Sequence, residues 1–506
     1  MNRCRVEICV IGSGFAGSLL AMMLAREGRS VAMIERGQHP RFAIGESSTP
    51  LANFKLRQIA KKYGLRPLET FTRYGDWMES HPELMRGPKR GFSYFGHQAG
   101  QAFQTDDKHS GELMITANSN VKSSDLHWLR ADIDAFLVEE AIRAGVIFLD
   151  ETNIKESVTA MPASGVGDDG WVRLVGERKG QFISMDTRFT IIASGNQQVW
   201  QDAVDVPLTD RWPRTNSRSL FAHFKEVEPW TNIMIDDGYG TAEHPFDCDQ
   251  SALHHVFDGG WMWLLRFDDD TTSAGFMLDS NRFPLDASES GESEWRRWLD
   301  RFPSIRRQFS DATMVRPQTG LQRTGRLQQS LRKVAGERWA LLPAAVGFSD
   351  PLFSTGIGHA LFAIDRLVVA LRDMDNSRRL SESLAVYSKH VGKEIDLIDR
   401  LVSLAYRASS SFENYVAATM PYFAAATSCE RSARTSIDDA MPSFLMADDA
   451  TFLYAIEVIE QSHRETLAGR HHQSFTDSVC DALKPFNHVG LFSPDRPRMY
   501  RYTASD

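Results

Sequence analysis

The chain has 506 residues and a formal net charge of −9 at pH 7, with no long run of Lys or Arg. This balance argues against nucleic acid and against an anionic membrane surface as the main partner. The five cysteines are an odd number and contain no CxxC pair, so the sequence predicts neither a disulfide framework nor a metal site. Such cysteine usage favours a reducing, cytoplasmic location.

The first 35 residues read as a strand, a glycine turn, a helix and a second strand that ends in an acid. The turn GSGFAG has the G-x-G-x-x-G spacing, in which glycines allow a tight turn and close approach of backbone to a pyrophosphate at the helix N-terminus. The acid after the second strand suits a ribose hydroxyl. A secretory signal is the alternative for this basic and then apolar stretch. The predicted cofactor contacts are Gly12, Gly14, Phe15, Ala16, Gly17 and Glu35.

The loop RGQHPRFAIGESSTP, residues 36–50, becomes small and polar just before a helix predicted to begin near Leu51. Such a loop can run along a flat ligand, or it can simply cap the helix with Ser48 or Thr49. GESSTP after PRF resembles the flavin-contacting segment of the flavin-dependent halogenases, a branch of the aromatic-hydroxylase-like FAD proteins. The resemblance implies FAD, used as FADH2, and adds the contacts Arg36, Arg41, Gly45, Glu46, Ser47 and Ser48.

Two later segments extend this resemblance. The helix LRADIDAFLVEEAIRAG, residues 129–145, begins with Arg130, whose counterpart in the family lies near the flavin; a surface salt bridge is the alternative. In WALLPAAVGFSDPLFSTGIGHAL, residues 339–361, a strand leads to a helix start whose free amides can bind an anion, although a plain N-cap is also possible. Asp350 suits a ribityl or ribose hydroxyl. The resemblance implies cofactor contacts at Asp350, Pro351, Gly356 and Ile357, and chloride or bromide at Thr355 and Gly356.

The stretch PKRGFSYFGHQ, residues 88–98, is predicted as one strand with Lys89 on one face and Phe92 on the other. In halogenases of this type, a lysine in a comparable strand holds hypohalous acid, or carries the halogen, beside the substrate. The resemblance therefore implies that Lys89 is the catalytic residue. Composition alone favours a solvated lysine at a strand edge.

In GGWMWLLRF, residues 259–267, strand alternation places Trp261 and Trp263 on one face. They match the family hallmark W-x-W-x-I-P, which implies a wall between flavin and a substrate chamber that also includes Phe92; plain core packing would look the same. Arg266 replaces the hallmark proline and is expected to reach solvent or to bind an acidic substrate or carrier. Phe353 stands where tryptophan halogenases carry a catalytic Glu, which disfavours free tryptophan and favours a phenolic substrate.

The expected architecture is α/β: a Rossmann-type FAD-binding domain over 1–375 that carries an inserted, substrate-facing β-sheet at about 65–125 and 200–335. A helical C-terminal region over 376–506 is expected to cap the chamber. No second nucleotide unit follows, so a separate NAD(P)H-dependent flavin reductase is expected to supply reduced flavin.

The resemblance implies an enzyme of secondary-metabolite biosynthesis that uses FADH2, O2 and halide to halogenate an electron-rich aromatic ring. The substrate is expected to be free or tethered to a carrier protein. Two alternatives remain open at this stage. One is an FAD-dependent aromatic hydroxylase, motivated by Arg266. The other is a non-catalytic flavin-binding partner protein.

Overall fold

The computed structural model describes residues 3–159, 170–195, 211–329, 332–435, 443–470, 473–495 and 497–501. Its helices are α1 Phe15–Arg26, α2 Pro50–Lys62, α3 Tyr74–Ser80, α4 Arg130–Arg143, α5 Trp230–Asp236, α6 Gly291–Asp300, α7 Pro303–Gln308, α8 Pro343–Val346, α9 Thr355–Leu371, α10 Ser377–Ala408, α11 Phe412–Thr435, α12 Ala450–Leu467 and α13 Phe475–Leu483. Its strands are β1 Arg3–Ile11, β2 Val31–Ile34, β3 Arg86–Lys89, β4 Gly91–Gly96, β5 Glu112–Thr116, β6 Asp125–Trp128, β7 Ile147–Leu149, β8 Thr152–Thr159, β9 Val172–Arg178, β10 Gln181–Ile192, β11 Ser217–Lys225, β12 Ala252–Phe257, β13 Gly260–Arg266, β14 Thr272–Asp279, β15 Thr313–Arg316, β16 Gln322–Arg323, β17 Ala335–Gly336, β18 Trp339–Leu341 and β19 Met499–Tyr500.

The first sheet has the strand order β17-β18-β10-β1-β2-β7, with β9 and β8 added at β10. Strands β10, β1, β2 and β7 run parallel in succession, as βαβ crossovers require. Helices α1, α4 and α9 pack together beside it over a continuous apolar core. Central strands such as VAMI in β2 are buried on both faces, which explains their unbroken apolar sequence. This confirms the predicted Rossmann-type unit.

The second sheet is mixed and has the order β15-β11-β14-β13-β12-β4-β5-β19, with β16 paired to β11. Strand alternation sends Met262 and Leu264 of β13 into a core shared with α5–α7. Trp261 and Trp263 of the same strand face the opposite way, toward the C-terminal helices. The predicted pairing of the two tryptophans on one face is therefore confirmed.

The C-terminal helices α10–α13 pack over the tryptophan face of the second sheet and share one apolar core with it. The region is helical as predicted, but β19 returns from its far end to pair in parallel with β5. The domain boundaries at 375 and 376 stay a prediction. In the part of the chain that is described, no helix is both long and apolar enough to cross a lipid bilayer.

Candidate active site

The turn between β1 and α1 has the backbone geometry that its glycines predict. Gly12 has φ +106°, and a Cβ there would lie 2.8 Å from the backbone nitrogen of Ser194. A Cβ on Gly17 would overlap the carbonyl oxygen of Gly12, so α1 can approach β1 only without a side chain at that position. Gly14 is the extended residue from which α1 begins, and Phe15 and Ala16 form the half-buried first turn.

Charged groups surround this turn. Glu35 accepts hydrogen bonds from the backbone and hydroxyl of Ser13 and from the Gly37 N–H. Burial by itself would raise the pKa of Glu35, but the charge of Arg41 and these hydrogen bonds outweigh it and lower the pKa. The Arg41 guanidinium lies 3.7 Å from Glu35 Oε2, and its Nε is buried without a hydrogen-bond partner among the described residues.

The Arg130 side chain extends from α4 toward the same glycine turn. Its guanidinium donates to both carboxylate oxygens of Asp134 at 2.9 Å and to the carbonyl oxygens of Ile44 and Gly45. It is a buried paired residue, in contrast to the surface salt bridge considered above. A helix start, an acid for a sugar hydroxyl and two guanidinium groups form a donor set that fits a dinucleotide such as FAD.

The GESS segment connects this cradle to the rest of the site. Gly45 has φ +92° and is exposed, whereas Glu46 is buried with Oε1 3.0 Å from His223 Nε2 of β11. Ser47 contacts Ser354, with the two hydroxyl oxygens 3.1 Å apart. Ser48 exchanges hydrogen bonds with Leu126 of β6. Arg36, also predicted to contact the cofactor, is exposed at the start of this loop, and Thr49 caps α2.

The second candidate anion site is the start of α9. Pro351 opens a short 3-10 turn that ends at Ser354, where φ is +52° and the helix begins. Thr355 is buried, whereas Gly356 is exposed, and a Cβ on Gly356 would meet no atom within 4 Å. Open space over free amides fits a small anion. Ile357 turns its side chain into the Rossmann core, so its backbone alone faces the helix start.

The Asp350 carboxylate forms hydrogen bonds within the protein. It accepts from the hydroxyls of Ser217 at 2.7 Å and Tyr406 at 2.9 Å and from the Leu352 N–H. Burial raises its pKa to about 6, although these hydrogen bonds oppose the shift. Protein donors thus already hold this carboxylate, and its use for a ribityl or ribose hydroxyl stays a prediction.

Lys89 lies at the end of β3, and the chain bends at Arg90 before β4 begins. The prediction of one strand was wrong: β3 pairs with β6, whereas β4 belongs to the second sheet. Because of the bend, the Lys89 ammonium lies over the Phe92 ring, 4.0 Å from its centroid, rather than on the opposite face. Lys89 Nζ donates to the Ser48 carbonyl oxygen at 2.7 Å.

Lys89 is fully buried, so the solvated alternative is wrong. Asp125 lies opposite it in the register of β3 and β6 and accepts hydrogen bonds from Asn53 and Asn118. Burial lowers the pKa of Lys89, and the charge of Asp125 partly opposes this shift. Burial likewise raises the pKa of Asp125. Sequence reasoning missed Asp125 because a pairing of short strands 36 positions apart leaves no local pattern.

Aromatic rings pack on the face of the second sheet that carries Phe92. The rings of Trp261 and Trp263 lie 6.1 Å apart, and His254 lies 5.1 Å from Trp261. Burial lowers the pKa of His254 to about 3, so its imidazole is neutral. Phe353, at the position where tryptophan halogenases carry Glu, stacks on Tyr422 with centroids 4.6 Å apart.

A cavity of about 30 Å³ opens between Phe92 and the helix α11. Its remaining wall comes from α2, β5 and the segment before α12. One acid, Glu430 of α11, stands in this wall, and sequence reasoning missed it. The sequence feature that could have indicated Glu430 is a single carboxylate in the otherwise small and apolar run PYFAAATSCE.

Arg266 does not face this chamber. It lies on the opposite face of β13 from the tryptophans, where it forms an ion pair with Asp249 at 3.0 Å. It also donates to the carbonyl oxygens of Val227 and Glu228. Arg266 thus reaches solvent only in part, because Asp249 and two backbone carbonyls hold its guanidinium, and binding of an acidic substrate or carrier by Arg266 stays a prediction.

Sequence comparison identifies the class of protein to which this arrangement belongs. The family described as tryptophan halogenase matches residues 77–418, and the NAD(P)-binding Rossmann-like domain matches residues 10–80. The chain therefore belongs to the tryptophan halogenase family of flavin-dependent enzymes.

Among its relatives, monodechloroaminopyrrolnitrin halogenase PrnC of Pseudomonas fluorescens is 32% identical over 80% of this chain and 68% of its own length. Tetracycline 7-halogenase of Kitasatospora aureofaciens is 28% identical over 73% of this chain, and the match spans 64% of that enzyme. The solved structure of halogenase PltM superposes with a TM-score of 0.84 at 23% identity and covers 99% of this chain and 100% of PltM. PltM has also been solved with phloroglucinol and FAD. The fold is thus that of a flavin-dependent halogenase.

Proposed function

We propose that this enzyme uses FADH2, O2 and chloride or bromide to halogenate a phenolic or similarly electron-rich ring. The observation that carries the proposal is the position of the Ser47–Ser48 segment. Ser47 contacts the residue that opens α9, and the Ser48 carbonyl binds the Lys89 ammonium. One short loop thus connects the candidate halide site to the candidate catalytic lysine.

The residues on the two sides of this loop have separate roles in the reaction. The turn at Gly14, with Arg41 and Arg130, would hold FAD, and the amides of Thr355 and Gly356 would hold the halide. When bound and reduced, FAD supplies with O2 the two-electron oxidation that converts halide into hypohalous acid. Trp261 and Trp263 are bulky and buried, so they exclude water and keep the organic substrate in its own chamber.

Lys89 would then act on hypohalous acid beside the ring. An ammonium has three N–H donors, and the Ser48 carbonyl uses one of them. A remaining donor can bind the oxygen of hypohalous acid and polarise its bond to the halogen. As the carbon–halogen bond forms and the oxygen–halogen bond breaks, the Lys89 proton leaves with the oxygen as water. The ring proton then restores the ammonium.

The residues around the chamber indicate the class of substrate. Aromatic walls and the absence of a carboxylate at Phe353 favour a phenol, and the related PltM binds phloroglucinol. A carrier-tethered substrate fits the relationship to 1H-pyrrole-2-carbonyl-[peptidyl-carrier protein] chlorinase, which is 21% identical.

We further propose a separate NAD(P)H-dependent flavin reductase. Five unpaired cysteines favour a cytoplasmic location. Arg266 was the residue that suggested a hydroxylase. It does not support that alternative, because its ion pair with Asp249 holds it outside the chamber.

The test is a mass-spectrometric product screen with Lys89→Met, which keeps the length of the side chain and removes its charge. The purified protein receives FAD, NADH, an unrelated flavin reductase and a panel of phenols, with bromide, with chloride or without halide. We expect halogen isotope doublets from the wild type and a loss of at least about 100-fold in the variant, as for removal of a general acid. Lys108→Met, at an exposed lysine, is the matched control. Oxygenated products in all conditions, or normal halogenation by Lys89→Met, would contradict the proposal.

A further inference from the structure

Glu430 is an acid that the proposed chemistry does not use. It lies on α11 one turn after Ala426 and Thr427, and all three line the cavity beside Phe92. Only 6% of Glu430 is exposed, and its Oε2 has no hydrogen-bond partner among the described residues. Native proteins rarely leave a buried carboxyl oxygen unpaired, because its desolvation is then uncompensated.

The surroundings keep this carboxyl in its neutral form. Burial raises the pKa of Glu430 to about 8, the nearby charge of Asp125 adds to the shift, and Arg434 opposes it. Arg434 is exposed one turn further along α11, and Asp125 of β6 lies opposite Lys89 of β3. A neutral carboxyl offers one O–H donor and keeps its acceptor capacity, so it can pair with a hydroxyl in either direction.

Glu430 and Lys89 both lie near Phe92. The Lys89 ammonium lies over the Phe92 ring, and Glu430 contributes to the same cavity as that ring. The cavity of about 30 Å³ holds about one water molecule. An aromatic substrate therefore has to displace side chains such as Tyr422 or Phe423, which share this wall. A ring that enters there would contact Glu430 in the cavity wall and Phe92, whose ring the Lys89 ammonium covers.

We propose that Glu430 orients the substrate: its carboxyl pairs with a hydroxyl or N–H group on the ring and thereby presents one ring carbon to Lys89. This inference rests on the proposed halogenase function and assigns the ligand class of the chamber, an aromatic ring that carries a hydrogen-bond donor. It also explains why the unpaired oxygen is retained, since the substrate supplies its partner.

The experiment compares Glu430→Leu, which removes the hydrogen-bonding group but keeps an apolar side chain of similar size, with Glu430→Gln, which keeps an acceptor and a donor. Glu413→Leu is the matched control, because Glu413 is an exposed acid of the same helix and does not line the cavity. Each variant is given a phenol and the methyl ether of that phenol. The readouts are kcat, KM, the ratio of halogenated isomers, and hypohalous acid captured by a chemical trap in the absence of substrate.

For Glu430→Leu we expect kcat/KM for the phenol to fall about 10- to 100-fold, mainly through KM, as for the loss of one hydrogen bond to a carboxyl group. The methyl ether should change little, and the isomer ratio should move toward the mixture that the free ring gives. Glu430→Gln should retain the preference for the phenol. Glu413→Leu should match the wild type, and all variants should deliver trapped hypohalous acid at the wild-type rate.

Two outcomes overturn the inference while leaving the halogenase intact: unchanged isomers and unchanged phenol preference in Glu430→Leu, or loss of trapped hypohalous acid in that variant. A wild type that halogenates no substrate and delivers no hypohalous acid contradicts the proposed function itself. If Glu430→Leu does not fold, Glu430→Met serves in its place. Equal KM values of the wild type for phenol and methyl ether would also contradict the inference.

Discussion

The Ser47–Ser48 segment separates the predicted FAD site, the cofactor side, from the predicted substrate chamber, the chamber side. The two sides differ in how far their charged groups are paired. On the cofactor side, ionised groups are already paired: Arg130 with Asp134, and Glu35 with backbone donors and Arg41. On the chamber side, the ionisable groups are buried and only partly compensated, and the pKa values of the lysine and both acids are shifted toward their neutral forms. The first arrangement gives a rigid receptor, and the second keeps reactive groups ready for a reaction partner.

The largest effect is expected on the cofactor side, from Gly17→Ala. The added methyl would overlap the Gly12 carbonyl oxygen and force α1 away from β1. We expect a loss of about 1–3 kcal/mol or more in the free energy of unfolding, as for overpacking, together with loss of FAD binding. Thermal denaturation and flavin retention on gel filtration measure these two effects.

Gly356→Ala is the matched control, because a Cβ there meets no atom within 4 Å. This variant should keep the melting temperature, and its halide KM should rise because the methyl group enters the open space at the start of α9. Normal flavin retention by Gly17→Ala would show that the tight helix–strand approach is dispensable.

A smaller effect is expected on the chamber side, from Asp125→Asn. The Asp125 carboxylate favours the ammonium form of Lys89, so its loss lowers the Lys89 pKa further. If the ammonium is the active form, the alkaline limb of halogenation moves to lower pH, and activity above that limb falls about 10-fold for each pH unit of displacement. A pH profile of product formation measures the shift.

Asn53→Ala serves as the control for Asp125→Asn, because it removes a hydrogen bond to Asp125 without removing its charge. Its alkaline limb should move less than that of Asp125→Asn. A limb that moves to higher pH in Asp125→Asn would contradict the assignment of Lys89 as a protonated donor.

The smallest effect on chemistry is expected from Arg266→Ala. Its guanidinium binds Asp249 and two backbone carbonyls outside the chamber, so the variant should lose about 1–3 kcal/mol of unfolding free energy, as for hydrogen bonds to a charged group. The products should keep their halogen, and no oxygenated product should replace them. Denaturant unfolding and mass spectrometry measure the two effects. A change from halogenated to hydroxylated product would restore Arg266 as a determinant of the reaction.

The difference between the two sides also explains what the sequence could predict. The Rossmann turn, α2 after GESST and the alternation of Trp261 and Trp263 follow from local spacing, and the structure contains all three. These features depend on residues within one or two elements, where period and glycine placement determine geometry.

The chamber depends on contacts between distant segments. The bend at Arg90 and the approach of Asp125 to Lys89 arise from the pairing of β3 with β6, and Tyr406 reaches Asp350 from α10. No spacing rule connects such positions. The sequence therefore predicted Lys89 through resemblance alone and missed both Asp125 and Glu430.

Strand β19 has a consequence for how the enzyme is made. Met499 and Tyr500 pair with Met114 and Ile115 of β5, and Thr116 donates to the Tyr500 carbonyl. This covers an edge of the second sheet that would otherwise offer unpaired backbone groups to other chains. A nascent chain on the ribosome cannot complete that edge until residue 500 has emerged, nearly 400 residues after β5. This edge of the second sheet is therefore among the last parts of the molecule to be closed during synthesis.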